Sequence, residues 1–360
     1  MKNSFTFLFS LLSFNLCLAQ NISSYTDYLQ KFYVVDNGRP IKLEHLPITS
    51  AKTSDDYLAY EDNVKNFKIY FKGESVQLAG FIDKYTTNKG VVVYEASGVL
   101  KAFSKGENYV LSPIIKNYKS ADNIVAYIDE YDRAFKVFTD TIYTLENLNG
   151  ANKTIGYQVA PNTLAYVDEQ SNLYYYQNGK KQLVLEYFEN RGYRVGENIM
   201  AFIDSYDYTF KTYYKDEMIE LDTQYPQSYR MGKNMLAWIA KDGTFSVFYD
   251  GKIKELASYS PTRYALKDDI LTYEQNGYLY MLYKGEVIEI ETYVPEVYFV
   301  DNQTLVYVDQ TGYVKAYIAG KFVEITRQVN TGLKLNGDAI YYTVNQNEPR
   351  VWFKGRELEF

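Results

Sequence analysis

Residues 228–258 read SYRMGKNMLAWIAKDGTFSVFYDGKIKELAS, and this stretch decides the fold. Its first four residues are a short extended piece, and Gly232-Lys233-Asn234 forms a turn. Residues 235–240 are apolar at nearly every position, which is typical of a strand buried on both faces. The first half of the stretch therefore predicts two antiparallel strands.

The second half of the stretch predicts two more strands. Asp242-Gly243 and Asp250-Gly251 are strong turn signals on either side of a strand at 245–249. Residues 252–256 mix charged and apolar side chains, as an outer edge strand does when it must not recruit other chains. The unit is therefore four antiparallel strands in about 35 residues.

The same unit recurs nine times along the chain. An aromatic residue on the second strand marks each copy, every 33 to 39 residues, at Tyr60, Tyr94, Tyr127, Tyr166, Phe202, Trp238, Tyr273, Tyr307 and Tyr342. A tyrosine opens seven copies, at Tyr85, Tyr118, Tyr157, Tyr193, Tyr229, Tyr264 and Tyr298, while Ala51 and Leu333 stand there in the first and last copies. A repeat of this length indicates one supersecondary unit that packs on copies of itself.

The repeat predicts an all-β fold, a β-propeller of about nine four-stranded blades with a range of eight to ten. A linear array of β-hairpins is the alternative. Residues 20–360 form a single domain in this interpretation, with a leading hairpin at 32–44 and nine repeat units from about 51 to 360. A small residue often precedes the aromatic, as in Ala237-Trp238, and leaves room for a ring from the next blade.

A resemblance to known families supports the propeller. Residues 231–238, followed by Asp242-Gly243 and the strand at 245–248, resemble the blade unit of TolB-type and WD-repeat propellers. The Trp-Asp and Gly-His signatures of WD repeats and the Ser-Pro-Asp-Gly turn of TolB are missing. The resemblance therefore implies an architecture and no particular function, since propellers host many unrelated activities.

The first nineteen residues predict a cleavable secretory signal. Lys2 gives a basic start, residues 7–18 are mainly apolar, and Ala19 precedes the expected cleavage point before Gln20. Lipid attachment at Cys17 is the alternative, although Leu16 is larger than the residue that such sites need. We expect a periplasmic, secreted or cell-surface protein without a membrane span.

Composition excludes several function classes. Cys17 is the only cysteine and His45 the only histidine, so the mature chain has neither disulfides nor a multi-histidine metal site. The formal net charge of −7 argues against nucleic acid as a partner. Motifs of nucleophilic, phosphate-loop and metalloprotease catalysis are also missing, which favours a binding role over an enzyme.

The opening strands supply the candidate ligand-binding residues. Tyrosines with neighbouring cations near the propeller axis suit a sugar, a peptide or an anionic group, through stacking and charge-assisted hydrogen bonds. The alternative is that these tyrosines pack between blades. The candidate residues are Tyr118, Lys119, Tyr157, Tyr193, Arg194, Tyr229 and Arg230.

Two acidic loops and one long loop complete the candidates. Asp129 with Asp132, and Asp204 with Asp207, could each hold a calcium ion, the one cofactor considered; simple turn formation is the alternative. The Asn- and Gly-containing loop 146–155 accounts for the widest gap in the repeat, and is either a functional or a neutral insertion.

Three functions stay open. The first is a secreted or periplasmic binding or scaffolding module for a protein or glycan partner in the cell envelope or outside. The second is a carbohydrate-active hydrolase or lyase with carboxylates and tyrosines at the channel. The third is a structural component of a cell-surface assembly, for which a large apolar patch on one face of the disc is expected.

Overall fold

A computed structural model describes residues 22–27, 29–148, 155–189, 192–345 and 348–358. These ranges contain thirty-nine β-strands and no helix. The strands form ten antiparallel sheets, nine of four strands and one of three. Residues 1–21, which hold the predicted secretory signal, and residues 149–154 of the long loop lie outside the described part.

The strands follow one another in chain order. The first blade comprises β1 Ile22–Thr26, β2 Phe32–Asp36 and β3 Arg39–Glu44, and the second comprises β4 Ser50–Thr53, β5 Leu58–Glu61, β6 Phe67–Phe71 and β7 Glu74–Ala79. The third comprises β8 Lys84–Asn88, β9 Val91–Ala96, β10 Val99–Ser104 and β11 Glu107–Ser112. The fourth comprises β12 Ile115–Ala121, β13 Ile124–Asp129, β14 Ala134–Phe138 and β15 Ile142–Asn147. The fifth blade comprises β16 Gly156–Ala160, β17 Thr163–Val167, β18 Leu173–Gln177 and β19 Lys180–Leu185. The sixth comprises β20 Tyr193–Gly196, β21 Ile199–Ile203, β22 Phe210–Tyr214 and β23 Glu217–Asp222. The seventh comprises β24 Ser228–Met231, β25 Met235–Ile239, β26 Phe245–Tyr249 and β27 Lys252–Ala257. The eighth blade comprises β28 Arg263–Lys267, β29 Ile270–Gln275, β30 Tyr278–Tyr283 and β31 Glu286–Glu291. The ninth comprises β32 Tyr298–Asp301, β33 Thr304–Val308, β34 Val314–Ile318 and β35 Lys321–Thr326. The tenth comprises β36 Asn330–Asn336, β37 Ala339–Val344, β38 Glu348–Phe353 and β39 Arg356–Leu358.

Each four-stranded sheet is an up-and-down meander, as the sequence predicts. In the seventh blade the opening Tyr229 lies opposite Trp238, and Tyr249 lies opposite Lys252 across the outer hairpin. The turn of that hairpin, Asp250-Gly251, has positive φ at both residues, 44° and 86°. Two left-handed residues give a hairpin turn whose twist matches the flanking strands.

The ring closes between the last blade and the first. The Tyr341 hydroxyl of β37 donates to Ser23 Oγ of β1 at 2.6 Å, and Asn336 Nδ2 donates to Thr53 Oγ1 of the second blade at 2.8 Å. Contacts between the two ends of the chain exclude a linear array, so that alternative is wrong. The fold is an all-β propeller of ten blades, at the upper end of the predicted range.

The predicted leading hairpin is the outer part of the first blade. β2 and β3 occupy its third and fourth positions, and β1 pairs with β2 in the second position. Tyr25 lies 35 residues before Tyr60 and is therefore a tenth copy of the marker aromatic. The sequence prediction missed it because Ser24 replaces the usual alanine and the polar run Ser23-Ser24 hides the strand.

Buried rings between neighbouring blades form the core. Ala201 of the sixth blade packs in one cluster with Trp238 of the seventh, and Ala237 packs with Tyr273 of the eighth. All four residues are buried. The small residue on one blade therefore makes room for the aromatic of the next, as the dipeptide predicts. Each blade thus depends on its neighbours for a closed core.

Candidate binding site at the mouth of the axial channel

The turns between the first and second strands of the blades converge on the propeller axis. The first strands of neighbouring blades lie against each other, as β12 and β16 do, which places them innermost. Their turns surround a cavity of about 470 Å³ at one end of the axial channel. All ten blades contribute a described residue to its lining.

Charged side chains dominate this cavity. Among the described residues, six carboxylates and three lysines line it: Asp55, Asp122, Glu197, Asp268, Asp269 and Asp301, with Lys89, Lys233 and Lys267. Excess negative charge in a confined, partly dehydrated space attracts cations. We call this set the channel mouth.

Each lysine of the channel mouth pairs with one carboxylate. Lys89 Nζ lies 3.0 Å from Asp55 Oδ2, and Lys233 Nζ lies 3.0 Å from Glu197 Oε1. Lys267 Nζ lies 3.7 Å from Asp301 Oδ1. These pairs connect neighbouring blades, so they neutralise half of the carboxylates and also stabilise the ring.

Asp122 and Asp268 carry the less compensated charges of the channel mouth. Burial raises the pKa of both carboxyl groups. The neighbouring Asp55 adds to the increase at Asp122, whereas at Asp268 the Lys267 ammonium opposes the effect of burial and Asp301 reinforces it. The Lys89 amide donates to Asp122 Oδ1 at 2.9 Å and only partly offsets the cost of burial. An approaching cation lowers the free energy of an ionised carboxylate in such surroundings.

Hydrogen bonds between neighbouring turns hold the channel mouth in place. Asn198 Nδ2 donates to Asn234 Oδ1 at 3.2 Å, and the Lys233 amide donates to the Asp268 carbonyl at 2.6 Å. Gly232 permits this approach, because a Cβ there would lie 2.5 Å from the Asp268 carbonyl oxygen. The carboxylates therefore stand on a rigid frame, which favours binding without reorganisation.

The tyrosines predicted to bind a ligand lie between blades. Tyr157 and Tyr193 are buried; their hydroxyls donate to Asn117 Oδ1 at 2.6 Å and to the Gly156 carbonyl at 2.8 Å, both on the preceding blade. Tyr118 and Tyr229 are half-buried. This geometry supports the packing alternative, and ligand binding at these rings stays a prediction.

The cations beside those tyrosines also act between blades. Lys119 Nζ donates to the Tyr157 carbonyl at 2.6 Å, and an Arg194 guanidinium nitrogen donates to the Tyr229 carbonyl at 2.8 Å. The Arg194 guanidinium lies 4.8 Å from the Tyr229 ring centroid, whereas that of Arg230 lies 6.0 Å from the Tyr264 ring. Cation–π contact and hydrogen bonding thus connect one inner strand to the next.

A lysine lies between the carboxylates of each predicted calcium loop. Lys211 Nζ is 2.7 Å from Asp204 Oδ2 and 2.6 Å from Asp207 Oδ2. Lys136 pairs with Asp129 and Asp132 in the same way. A calcium ion at either loop would have to displace this ammonium group. Calcium binding stays a prediction, and the described residues contain no group of three or more His, Cys, Asp or Glu placed to hold a metal ion.

The channel mouth was not among the sequence predictions. Six of its nine charged residues occupy one repeat position, five residues before a marker aromatic: Asp55, Lys89, Asp122, Glu197, Lys233 and Asp268. That position varies in charge from copy to copy, so it looks like an ordinary turn in any single unit. Aligning all copies on the aromatic is the signal that could have found it.

The opposite face of the disc exposes aromatic side chains. The turns between second and third strands and the connections between blades lie at that face because the strands alternate in direction. Tyr131 and Tyr206 in two such turns are 70% and 64% exposed, and Tyr187 and Tyr259 in two connections are also exposed. Exposed aromatic residues on a rigid scaffold are common at protein interfaces.

Comparison with solved structures gives distant resemblances. The designed protein Ika8 is 15% identical, with 85% of this chain and 96% of that chain covered and a TM-score of 0.35. PorZ, described as an essential surface component of the type-IX secretion system of Porphyromonas gingivalis, is 9% identical, with 93% of this chain and 58% of that chain covered and a TM-score of 0.27. The designed protein Ika4 is 17% identical, with 34% and 88% covered and a TM-score of 0.24. No curated protein matches the sequence.

A family model gives the assignment. The model described as "10-bladed beta propeller domain" matches residues 16–358. Its blade number agrees with the ten sheets, while no TolB-type or WD-repeat family is confirmed. No helix in the described part of the chain has the length and apolar character needed to cross a membrane. The chain belongs to the family of ten-bladed β-propellers.

Proposed function

We propose that this protein is an exported, non-catalytic propeller that binds cationic groups of a protein or glycan partner at the channel mouth. The observation that carries the proposal is the cavity of the channel mouth, where six carboxylates meet three lysines among the described residues. Burial raises the pKa of two of these carboxyl groups, Asp122 and Asp268. An ammonium or guanidinium group of a partner would offset this cost and form charge-assisted hydrogen bonds.

The chemistry of the site favours binding of a single cationic group of a larger partner over binding of a whole small molecule. The cavity is polar, open at one end and about 470 Å³ in volume, so an amine-bearing side chain or sugar substituent can enter it. Lys89, Lys233 and Lys267 on the same rim would repel a partner whose cations are wrongly spaced. Affinity and specificity thus come from opposite charges on one rigid ring.

Affinity capture tests this function. The mature protein is immobilised and exposed to solubilised cell envelope, beside the Asp122→Asn/Asp268→Asn double variant. We expect a protein or glycan partner that wild type retains and the double variant loses, with capture weakened by salt. Failure to capture any partner, or equal capture by the double variant, would contradict the proposal.

The same carboxylates support a second candidate, a carbohydrate-active enzyme. A carboxyl group with a raised pKa can act as a general acid, and a second carboxylate nearby can act as base or nucleophile. The channel mouth combines them with lysines, not with the tyrosine and arginine that the sequence predicts beside an active site. Release of reducing ends from envelope polysaccharides by wild type and not by Asp268→Asn would favour this candidate.

The tyrosine-bearing face supports a third candidate, a structural component of a surface assembly. Tyr131, Tyr187, Tyr206 and Tyr259 could pack on a flat partner at that face. Replacing Tyr131 and Tyr206 by serine would then release the protein from the isolated envelope, while the channel double variant would remain bound.

A further inference from the structure

The contact between the ninth and tenth blades lacks two aromatic rings that other blade contacts have. In four blades the opening tyrosine packs on a phenylalanine in the third strand of the preceding blade, with ring centroids 4.9 to 5.1 Å apart. Leu333 and Val314 occupy the two corresponding places between the ninth and tenth blades, as the pairing of their strands shows. The complete pairs are Tyr85 with Phe67, Tyr157 with Phe135, Tyr229 with Phe210 and Tyr264 with Phe245.

A cavity of about 590 Å³ lies beside Leu333 and is bounded by described residues. Val297, the residue just before the opening tyrosine of the ninth blade, also lines it. At three other interfaces the residue in the place of Val297 shares a hydrogen bond with the hydroxyl of the next opening tyrosine. The cavity therefore occupies the place of an opening tyrosine. The three bonded pairs are Ser50 with Tyr85, Asn117 with Tyr157 and Ser228 with Tyr264.

The connection that leads into the tenth blade does not replace the missing ring. In the second blade, where Ala51 stands in the opening place, Ile48 of the preceding connection packs on the core cluster of that interface. The corresponding connection of the tenth blade ends in Val329, whose side chain is 61% exposed. The two blades without an opening tyrosine thus differ, and only the second fills the place from its own connection.

The lining of the cavity suits a phenyl ring carried by a peptide main chain. Leu333 and Pro295 are buried and apolar, whereas Glu296 and Gln310 are exposed and can bond to main-chain amides. The volume lies within the range of about 300–1,000 Å³ that is typical of ligand pockets. Val297 has no side-chain acceptor for a hydroxyl, and a buried hydroxyl without a partner costs free energy. A phenyl ring is therefore favoured over a phenol.

We propose that this cavity is a docking site for a phenylalanine side chain of a protein partner, whose ring takes the place of the missing opening tyrosine. The repeat itself supplies the argument for this occupant, since the chain places a tyrosine in that position in seven copies. The turn and the connection that line the cavity belong to the face of the disc that exposes Tyr259. An aromatic anchor in a pocket is a common centre of protein interfaces. The site is separate from the channel mouth, which lies at the other face.

A small phenylalanine derivative tests the site. N-acetyl-4-fluoro-L-phenylalaninamide is titrated with the protein of residues 20–360 and followed by fluorine NMR. We expect saturable binding with a dissociation constant of about 1 mM or below, which is typical of a ligand of this size. N-acetyl-L-phenylalaninamide should displace the probe, and N-acetyl-L-tyrosinamide should require several times the concentration, because its hydroxyl meets Val297.

Substitutions in the cavity wall locate the binding. Leu333→Phe places a ring in the cavity, so it should weaken probe binding at least about tenfold and raise the thermal midpoint by about 2 °C or more. Leu333→Met is the matched control, because it conserves volume without adding a ring and should leave the affinity within about twofold. Val297→Trp blocks the cavity from an exposed wall and should weaken binding as Leu333→Phe does.

Four results would overturn the phenylalanine site. They are absence of saturable probe binding to wild type, unchanged affinity in both Leu333→Phe and Val297→Trp, equal loss in Leu333→Met and Leu333→Phe, and stronger displacement by the tyrosine derivative than by the phenylalanine one. The Asp122→Asn/Asp268→Asn variant should bind the probe as wild type does. Loss of partner capture in that variant with intact probe binding therefore keeps this site distinct from the proposed function.

Discussion

The hydrogen bond of a single hydroxyl group decides how much each buried tyrosine stabilises the fold. Tyr166 and Tyr307 donate to Glu146 Oε1 at 2.6 Å and to Glu291 Oε1 at 2.8 Å, which lie on the outer strand of the preceding blade. Ser112 stands at that strand position before Tyr127, and the buried Tyr127 hydroxyl has no hydrogen-bond partner in the described part of the chain. An unsatisfied buried hydroxyl costs free energy, whereas a bond to a carboxylate stabilises.

The two tyrosines therefore predict opposite mutational effects. Tyr166→Phe should reduce the free energy of unfolding by about 1–2 kcal/mol, because Glu146 loses a donor. Tyr127→Phe should leave stability unchanged or raise it by up to about 1 kcal/mol, because only an unsatisfied group is removed. Urea denaturation of both variants followed by tryptophan fluorescence measures the difference, and a larger loss for Tyr127→Phe would contradict it.

Asp309 predicts an acid-dependent contribution to stability. Burial opposes its ionisation, but hydrogen bonds from Thr311 and Lys315 prevail and lower the pKa of Asp309 to about 2. A lowered pKa stabilises the folded state above the unfolded value near 3.8, and this contribution is lost as pH falls through about 2. Asp309→Asn should thus cost about 1–2 kcal/mol at pH 6 and progressively less below pH 4.

Thermal unfolding across that pH range checks the Asp309 prediction. The Asp242→Asn variant is the control, since Asp242 lies in the corresponding turn of the seventh blade and its pKa is lowered mainly by hydrogen bonds from Thr244, not by a lysine. A constant difference between wild type and Asp309→Asn from pH 6 to pH 2 would show that the lost carboxylate charge is not the cause.

At the scale of the element, the turns at the axis must approach each other closely. A Cβ at Gly196 would lie 2.3 Å from the Gly232 carbonyl oxygen, and one at Gly232 would lie 2.5 Å from that of Asp268. Neither glycine has positive φ, so the requirement is space between blades and not backbone conformation. Inner strands of a ten-membered ring thus depend on small residues at their ends.

Gly232→Ala should destabilise the protein by about 1–3 kcal/mol, since the added methyl forces two blades apart. Gly156→Ala is the matched control: Gly156 also lies on an inner strand, but a Cβ there meets nothing within 4 Å. That control should be neutral or slightly stabilising, because it restricts the unfolded chain. Thermal midpoints of the two variants give the comparison, and equal midpoints would contradict the close-approach argument.

Sequence reasoning recovers elements well and their side-chain partners poorly. Turn dipeptides such as Asp250-Gly251 and the apolar run 235–240 act locally, so they predict the blade. The acceptor of the Tyr166 hydroxyl lies on the preceding blade, and the Tyr127 hydroxyl finds no partner there within the described residues. Both outcomes depend on which blade lies next, which no single unit specifies. The channel mouth exists only when turns from distant parts of the chain meet, and for that reason it was not predicted.

At the scale of the whole molecule, the channel mouth opposes stability. A carboxyl pKa raised by burial means that ionisation costs the folded state free energy at neutral pH, and that this cost disappears as pH falls below the unfolded value near 3.8. Residues that reduce stability while they face a cavity are typical of binding sites. Asp122 and Asp268 of the channel mouth fit that description.

The Asp122→Asn/Asp268→Asn variant should therefore unfold at a higher temperature than wild type at pH 7. The difference should shrink as pH falls towards 4 and vanish near pH 3, because wild type is then protonated at both positions. Calorimetric scans at several pH values measure it. If the double variant is less stable than wild type at pH 7, these carboxylates stabilise the fold and the prediction is contradicted.

Binding of a basic peptide tests the central claim most directly. Isothermal titration of the mature protein with hexalysine at low salt is compared between wild type, Asp122→Asn/Asp268→Asn and the control Asp140→Asn/Asp216→Asn. The control has the same net charge, and its carboxylates lie on the same face outside the cavity. We expect wild type and control to bind alike and the channel variant to bind at least about tenfold more weakly. Equal affinity in all three proteins would contradict a cation-binding channel mouth.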